Sequence, residues 1–183
     1  MKHILLIFGL CCQLASFAQE LKDPVEVTPE LQKKLKLEVE KDVPKLKQRL
    51  VKEKQNAVHI EFAVDTFRIE RFMDKWLELD YRDFGMSEAA YTSAELYDGL
   101  LNKYFKKLLT VLKEDDKKTL QQAQRAWLAF RDSETKLVGT ISKEEYAGGG
   151  TMQRLTESSL YLDRVRRRTI ELFDHFVRAT QSE

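Results

Sequence analysis

The fold is decided by residues 87–111, which read SEAAYTSAELYDGLLNKYFKKLLTV. Apolar side chains recur in this stretch at alternating steps of four and three residues, which is the spacing of a helix seam in a bundle. The seam consists of Ala90, Ala94, Tyr97, Leu101, Tyr104, Leu108 and Val111. Ser87 followed by Glu88 predicts the beginning of this helix, since serine caps helix N-termini.

Helical signals continue on both sides of this stretch. No proline occurs after Pro44, so residues 45–183 lack the strongest helix breaker. Downstream, the acidic start Glu114-Asp115-Asp116 opens one helix, and a last helix is expected from about Thr151 to Thr180. The first of these carries the apolar stripe Leu120, Ala123, Trp127, Phe130, Leu137 and Ile141.

Two helices are expected upstream. Residues 59–81 carry an apolar surface wide enough to be buried on more than one side, and Asp83-Phe84-Gly85 is expected to end that helix. Thr28 before Pro29 predicts an earlier helix start, with a kink or restart at Pro44. The predicted fold class is therefore all-α: an elongated antiparallel helical bundle of four to five helices with no sheet.

The first 18 residues have the pattern of an export signal. Lys2 and His3 precede an apolar run, and Ser16 and Ala18 are the small residues of a cleavage site, so the mature chain is expected to begin at Gln19. The predicted domains are a signal peptide at 1–18, a charged arm or helix at 19–57 and a helical bundle at 58–183. The expected location is the periplasm or the exterior, with no membrane segment after cleavage.

Charge and cysteine content limit the function classes. The chain has 31 basic and 30 acidic residues, and removal of residues 1–18 takes away Lys2 together with Cys11 and Cys12. The remaining chain is neutral and free of thiols. Nucleic-acid partners, disulfides, thiolate metal sites and cysteine nucleophiles are therefore not expected.

No catalytic motif occurs. His59 and His175 are isolated from other metal-ligating residues, and there is no nucleophile elbow, phosphate loop or dinucleotide fingerprint. The glycine run 148–150 lies between two helices and is expected to be a flexible turn. The sequence predicts no catalytic residue, metal or cofactor, and a protein that is not an enzyme.

One segment is more specific, residues 124–134, which read QRAWLAFRDSE. Helical spacing places Gln124 and Arg131 beside Trp127 and Phe130 near one face. Because buried polar groups need partners, Arg131 is expected to reach an acid on another helix and Gln124 to hydrogen-bond, which would fix the helix register.

These residues resemble the family named for the LprI-type lysozyme inhibitor. The similarity comprises residues 97–104, 120–132, 148–150 and 168–172, and covers about 86–173. Its motif residues, for which a structural role is expected, are Asn102, Tyr104, Gln124, Trp127, Arg131, Asp132, Gly149 and Arg168. Members are exported bacterial helical proteins and often carry two cysteines, where this chain has Thr135 and Ser159 or Leu160. The missing bridge implies that packing, including the helices upstream of residue 86, supplies the stability instead.

The resemblance implies a binding protein that protects the cell wall from lysozyme. The expected contact is the loop 142–150, with Glu144, Glu145 and Tyr146 followed by Gly148, Gly149 and Gly150. A plain interhelix connection is the alternative for this loop. The alternative function is an envelope structural or assembly module that acts through helix contacts, with another envelope protein as partner or as a homodimer through residues 29–56. A hydrolase with unrecognised carboxylates is a third.

Overall fold

The computed structural model describes residues 23–181, which form six helices and no strand. They are α1 Pro29–Lys52, α2 Ala57–Leu79, α3 Asp83–Val111, α4 Glu114–Ile141, α5 Glu144–Ala147 and α6 Thr151–Thr180. Five are long and α5 is a single turn, so the predicted all-α class is confirmed. The expected signal peptide, with Cys11 and Cys12, lies outside the described residues.

Consecutive long helices alternate in direction, and as a result α3 and α6 run parallel. Thr151 Oγ1 donates to Asp83 Oδ2 at 2.7 Å at the beginning of both helices. Further along, Thr169 Oγ1 donates to the Tyr97 carbonyl at 3.1 Å. This pair forms the most extensive helix contact and α2 and α4 run antiparallel to it, so the core lies along α3 and α6.

Aromatic rings fill the main core. The Phe62 and Phe173 rings stack at 3.9 Å between centroids, and Tyr104 meets both edge-on. The seam predicted for α3 is confirmed except at its end: Ala90, Ala94, Tyr97, Leu101, Tyr104 and Leu108 are buried, and Val111 is exposed. The bundle therefore closes around the α3 seam.

A second core lies between α1 and α2. Leu35 and Val39 of α1 pack in the same cluster as Phe72 and Trp76 of α2. Since α2 also contacts α3, the expected burial on more than one side is confirmed. The apolar stripe of α1 is thus covered by α2.

The structure has no restart at Pro44, and the predicted beginning of α3 at Ser87 is wrong. Helix α1 runs through Pro44 without a restart, because Pro44 faces solvent, where the lost backbone hydrogen bond leaves no buried carbonyl unpaired. Helix α3 begins at Asp83, four residues before Ser87. Gly85 permits this start, since a Cβ there would lie 2.2 Å from Cγ of the buried Asp80.

Helix α4 lies at the edge of the bundle with a polar side inward. Gln124 is its only buried residue, whereas Phe130, Leu137 and Ile141 of the predicted stripe are 55%, 49% and 51% exposed. The prediction that these three face the core is wrong. Gln124 and Arg131 face α6 and α3 instead, which turns the apolar flank toward solvent.

Candidate functional site

Side chains of α3, α4 and α6 meet in a polar junction, formed by Asp98, Asn102, Gln124, Trp127, Arg131 and Arg168. From α6, Arg168 Nε donates to Gln124 Oε1 at 3.2 Å. The Arg131 guanidinium of α4 forms an ion pair with Asp98 of α3 at 3.6 Å. The expected acid on another helix and the expected hydrogen bond of Gln124 are both present.

Trp127 lies between the two guanidinium groups of this junction. The Arg131 group lies 5.5 Å from its ring centroid and the Arg168 group 5.9 Å. Both arginine side chains are largely shielded, with exposed fractions of 18% and 11%. Shielded cation–π contacts are stronger than exposed ones, so Trp127 joins α4 to α6.

Carboxylate and amide oxygens accept the hydrogen bonds and ion pairs that the donor groups of the junction offer. Asn102 Nδ2 donates to Asp98 Oδ2 at 3.0 Å, which fixes the acid opposite Arg131. Arg131 also pairs with Asp132 at 2.8 Å, and Arg168 with Glu171 at 3.0 Å. With its charges paired in this way, the junction suits a structural clamp between helices.

The sequence motif is not one site in space. Tyr104 lies two residues after Asn102, on the other side of α3, and is fully buried among the core rings. Gly149 belongs to the loop before α6. Because Gly149 precedes Arg168 by 19 residues, about 28 Å of chain rise along α6 separates the loop from the junction.

The loop 142–150 has structure of its own. It contains the single turn α5, and Gly148 N–H donates to the Glu144 carbonyl at 3.2 Å. Gln153 Nε2 of α6 donates to the Ala147 carbonyl at 2.9 Å. The interpretation of this segment as a plain turn is incomplete, since backbone and side-chain bonds define its shape.

The three glycines end the turn in a conformation that other residues rarely adopt. Gly148, Gly149 and Gly150 have φ of 79°, 62° and 86°. A Cβ on Gly149 would lie at an ordinary van der Waals distance, 3.6 Å, from the Glu144 nitrogen, so the positive φ is what favours glycine. Glycine avoids the steric cost of this region, so the run fixes the path from α5 to α6.

The loop presents acidic and aromatic groups to solvent. Glu144 and Glu145 lie in the first turn of α5, and both are exposed. The Tyr146 side chain is 67% exposed. The exposed ring can stack on a sugar, and the two carboxylates beside it can accept hydrogen bonds from cationic donors.

The described residues contain no cluster of metal-ligating side chains. Between residues 23 and 181, no three His, Cys, Asp or Glu side chains group closely enough to hold a metal ion. Over the same range, none of the helices combines the length and apolarity needed to cross a membrane.

Sequence reasoning missed the acid of the junction. Asp98 lies in the motif stretch 97–104, four residues before Asn102, and that spacing allows their side chains to meet on one helix face. The arginine-rich part of α6 pairs partly with neighbouring helices. Arg166 does so with Glu70 at 2.9 Å, while Arg167 pairs with Asp163 within α6.

Fold and geometry together define a class, a helical bundle that is held by packing and a polar clamp and that presents an acidic loop. Residues 80–172 match the family model described as lysozyme inhibitor LprI, and the chain belongs to this family. The match includes α3, α4 and α5 and ends at Leu172 of α6, close to the expected 86–173. Comparisons with curated proteins and with solved structures gave no significant match.

Proposed function

We propose that this chain is an exported, non-enzymatic binding protein that inhibits lysozyme and so protects the cell wall. Membership of the lysozyme inhibitor LprI family supports the activity. The signal pattern of residues 1–18 supports export to the periplasm or the exterior. The bundle of residues 58–183 would be the binding unit, with α1 as a cover for α2.

The observation that carries this proposal is the loop 142–150 within the family match. Lysozymes of the animal type are cationic and bind glycans in a cleft. An exposed turn with Glu144, Glu145 and Tyr146 offers carboxylates to such a cleft and a ring that can stack as a sugar does. The fixed backbone of the turn supports the same reading, because a preformed loop loses little entropy on binding.

Long-range attraction contributes little to this interaction. The chain without residues 1–18 is neutral, so it would not steer a cationic partner as a whole. Attraction of a cationic lysozyme would come from Glu144 and Glu145, and the charge of the adjacent Lys143 would oppose it. We therefore expect inhibition to weaken as salt rises, since exposed charges are screened.

Double substitution of the acids tests the loop. In a lysis assay with residues 19–183, Glu144→Ala with Glu145→Ala should weaken inhibition at least about tenfold, the size of losing two charge contacts. Tyr146→Ala should weaken it further. Wild-type protein that protects cells while both variants protect equally would contradict the role of the loop.

A matched control lies at the other end of α4. Glu114 and Asp115 are also exposed acids in the first turn of a helix, with side-chain exposures of 85% and 94%. Changing both to Ala removes the same charge from a distant place. Inhibition should then stay at the wild-type level, which separates a local contact from a net-charge effect.

A further inference from the structure

One face of α4 is exposed and free of charge along six turns. We define the α4 outer face by the positions within a 120° sector of the helix. The residues are Thr119, Gln122, Ala123, Ala126, Ala129, Phe130, Ser133, Leu137, Thr140 and Ile141, and each is exposed. Phe130, Leu137 and Ile141, about half exposed, are its large apolar members.

The absence of charge is specific to this face. Ten of the 28 residues of α4 are charged, and nine of them lie outside the sector; the tenth, Asp115, lies within it in the first turn of the helix. Ala123, Phe130 and Leu137 recur every seven residues and Ile141 follows four later, which is the period of a helix pairing seam. The largest apolar patch on a soluble protein is often functional.

We propose that the α4 outer face pairs with the same face of a second copy of this chain, in antiparallel orientation. This inference is independent of lysozyme inhibition. A two-fold contact brings a surface against itself, so any charge near the axis would meet its own like charge. From Thr119 to Ile141 the α4 outer face carries no charge, so the middle of the face avoids this repulsion.

The order of side chains along the face favours the antiparallel orientation. Its N-terminal half has the small residues Ala123, Ala126 and Ala129, and its C-terminal half has the large residues Leu137 and Ile141. Reversal of one helix sets large residues against small ones, which allows close packing. A parallel pair would set alanine against alanine and leave voids.

A two-fold axis near Ser133 satisfies this pattern for Leu137. Ile141 is instead level with Arg125 at the edge of the face. Ala129 then lies opposite Leu137 of the second copy, and Ala126 lies opposite Thr140. The face is about 33 Å long and about 10 Å wide, or about 330 Å² per copy, below a standard interface. The expected dimer is therefore weak, with a dissociation constant on the order of tens of micromolar.

Sedimentation equilibrium of residues 19–183 measures this association. Wild-type protein should shift from monomer to dimer as concentration rises, and Leu137→Glu should weaken dimerisation at least about tenfold. The matched control is Leu37→Glu on α1, since Leu37 is also an exposed leucine, at 67%. Circular dichroism verifies that both variants remain helical.

Single cysteines test the orientation, because residues 19–183 contain no other thiol. Ser133→Cys lies at the proposed axis and should form a disulfide-linked dimer under mild oxidation. In Ala123→Cys the two thiols would be about 30 Å apart, too far for a disulfide. Ala126→Cys mixed with Thr140→Cys should give the mixed dimer in preference to either homodimer.

Several results would overturn the proposal. A strictly monomeric protein at all concentrations does so, as does a dimer that Leu137→Glu leaves intact. Equal crosslinking of Ala123→Cys and Ser133→Cys would exclude the antiparallel axis. If Leu137→Glu abolishes lysozyme binding while wild-type protein stays monomeric, the face binds lysozyme and not a second copy.

Discussion

Tyr104 shows how a motif residue can serve the core alone. Its ring lies within about 6 Å of Phe62, Phe173 and Phe176, and its hydroxyl has no hydrogen-bond partner among the residues that the structure describes. Burial raises the pKa of this hydroxyl well above its ordinary value, and Glu61 and Asp65 add to the shift. The hydroxyl therefore stays neutral, and Tyr104 contributes to stability through the packing of its ring.

Removal of the Tyr104 hydroxyl should cost little. A buried hydroxyl without a partner is unfavourable, so Tyr104→Phe should leave the free energy of unfolding unchanged or raise it by about 1 kcal/mol. Urea denaturation followed by circular dichroism measures this. Tyr97→Phe is the comparison, because the Tyr97 hydroxyl donates to Glu70 and its loss should destabilise. A loss above 2 kcal/mol for Tyr104→Phe would mean that its hydroxyl is bonded.

Residue types predicted the partners of buried polar side chains better than they predicted which apolar side chains face the core. The need of buried polar groups for partners correctly indicated an acid for Arg131 and a bond for Gln124. Phe130 was placed wrongly because hydrophobicity alone was taken to point inward. Two guanidiniums around Trp127 stabilise a polar inner side of α4, and no local pattern reveals that arrangement.

At the scale of elements, the two flanking helices differ in how deeply they are buried. Helix α2 is covered by α1 and by α3, whereas α4 contributes one buried residue. The sequence indicated the first through the unusual width of its apolar surface. The shallow burial of α4 depends on which side of this helix packs against the bundle, and the surfaces of α3 and α6 determine that side.

Two phenylalanines compare these helices directly. Phe72→Ala on α2 empties a site that is 1% exposed and should cost about 3–5 kcal/mol of unfolding free energy. Phe130→Ala on α4 removes a ring that is 55% exposed and should cost well under 1 kcal/mol. Chemical denaturation at low protein concentration measures both. Equal losses would contradict the burial of α2 or the exposure of α4.

Removal of α1 should act like a partial loss of the core. The helix covers Phe72 and Trp76, so a chain that begins at Asn56 would expose an apolar surface on α2. This covering fits the expectation that upstream helices replace the missing family disulfide. The boundaries of the domains themselves stay a prediction.

For the whole molecule, acid should weaken the turn between α2 and α3. Hydrogen bonds from Arg82 hold the pKa of Asp80 below its ordinary value of 3.8. Because the folded-state pKa of Asp80 is lowered, these bonds stabilise the folded protein fully at pH values above the unfolded-state pKa. This stabilisation is lost as the pH falls through the folded-state pKa. Asp80 also lies beneath Gly85, so this bond supports the beginning of α3.

Melting temperatures of wild type and Asp80→Asn, measured from neutral pH to about pH 3, test this linkage. Wild type should be more stable at neutral pH, and the difference should shrink as the pH falls below about 4. Circular dichroism at each pH provides the measurement. A difference that does not change with pH would show that the charge of Asp80 does not contribute.

A single titration tests the proposed inhibition of lysozyme most directly. The rate of cell-wall lysis by an animal-type lysozyme is followed while residues 19–183 are added in rising amounts. We expect a dose-dependent loss of lysis that saturates, with partial recovery in high salt because exposed charges contribute. Unchanged lysis at a large molar excess of folded protein would contradict the proposed function.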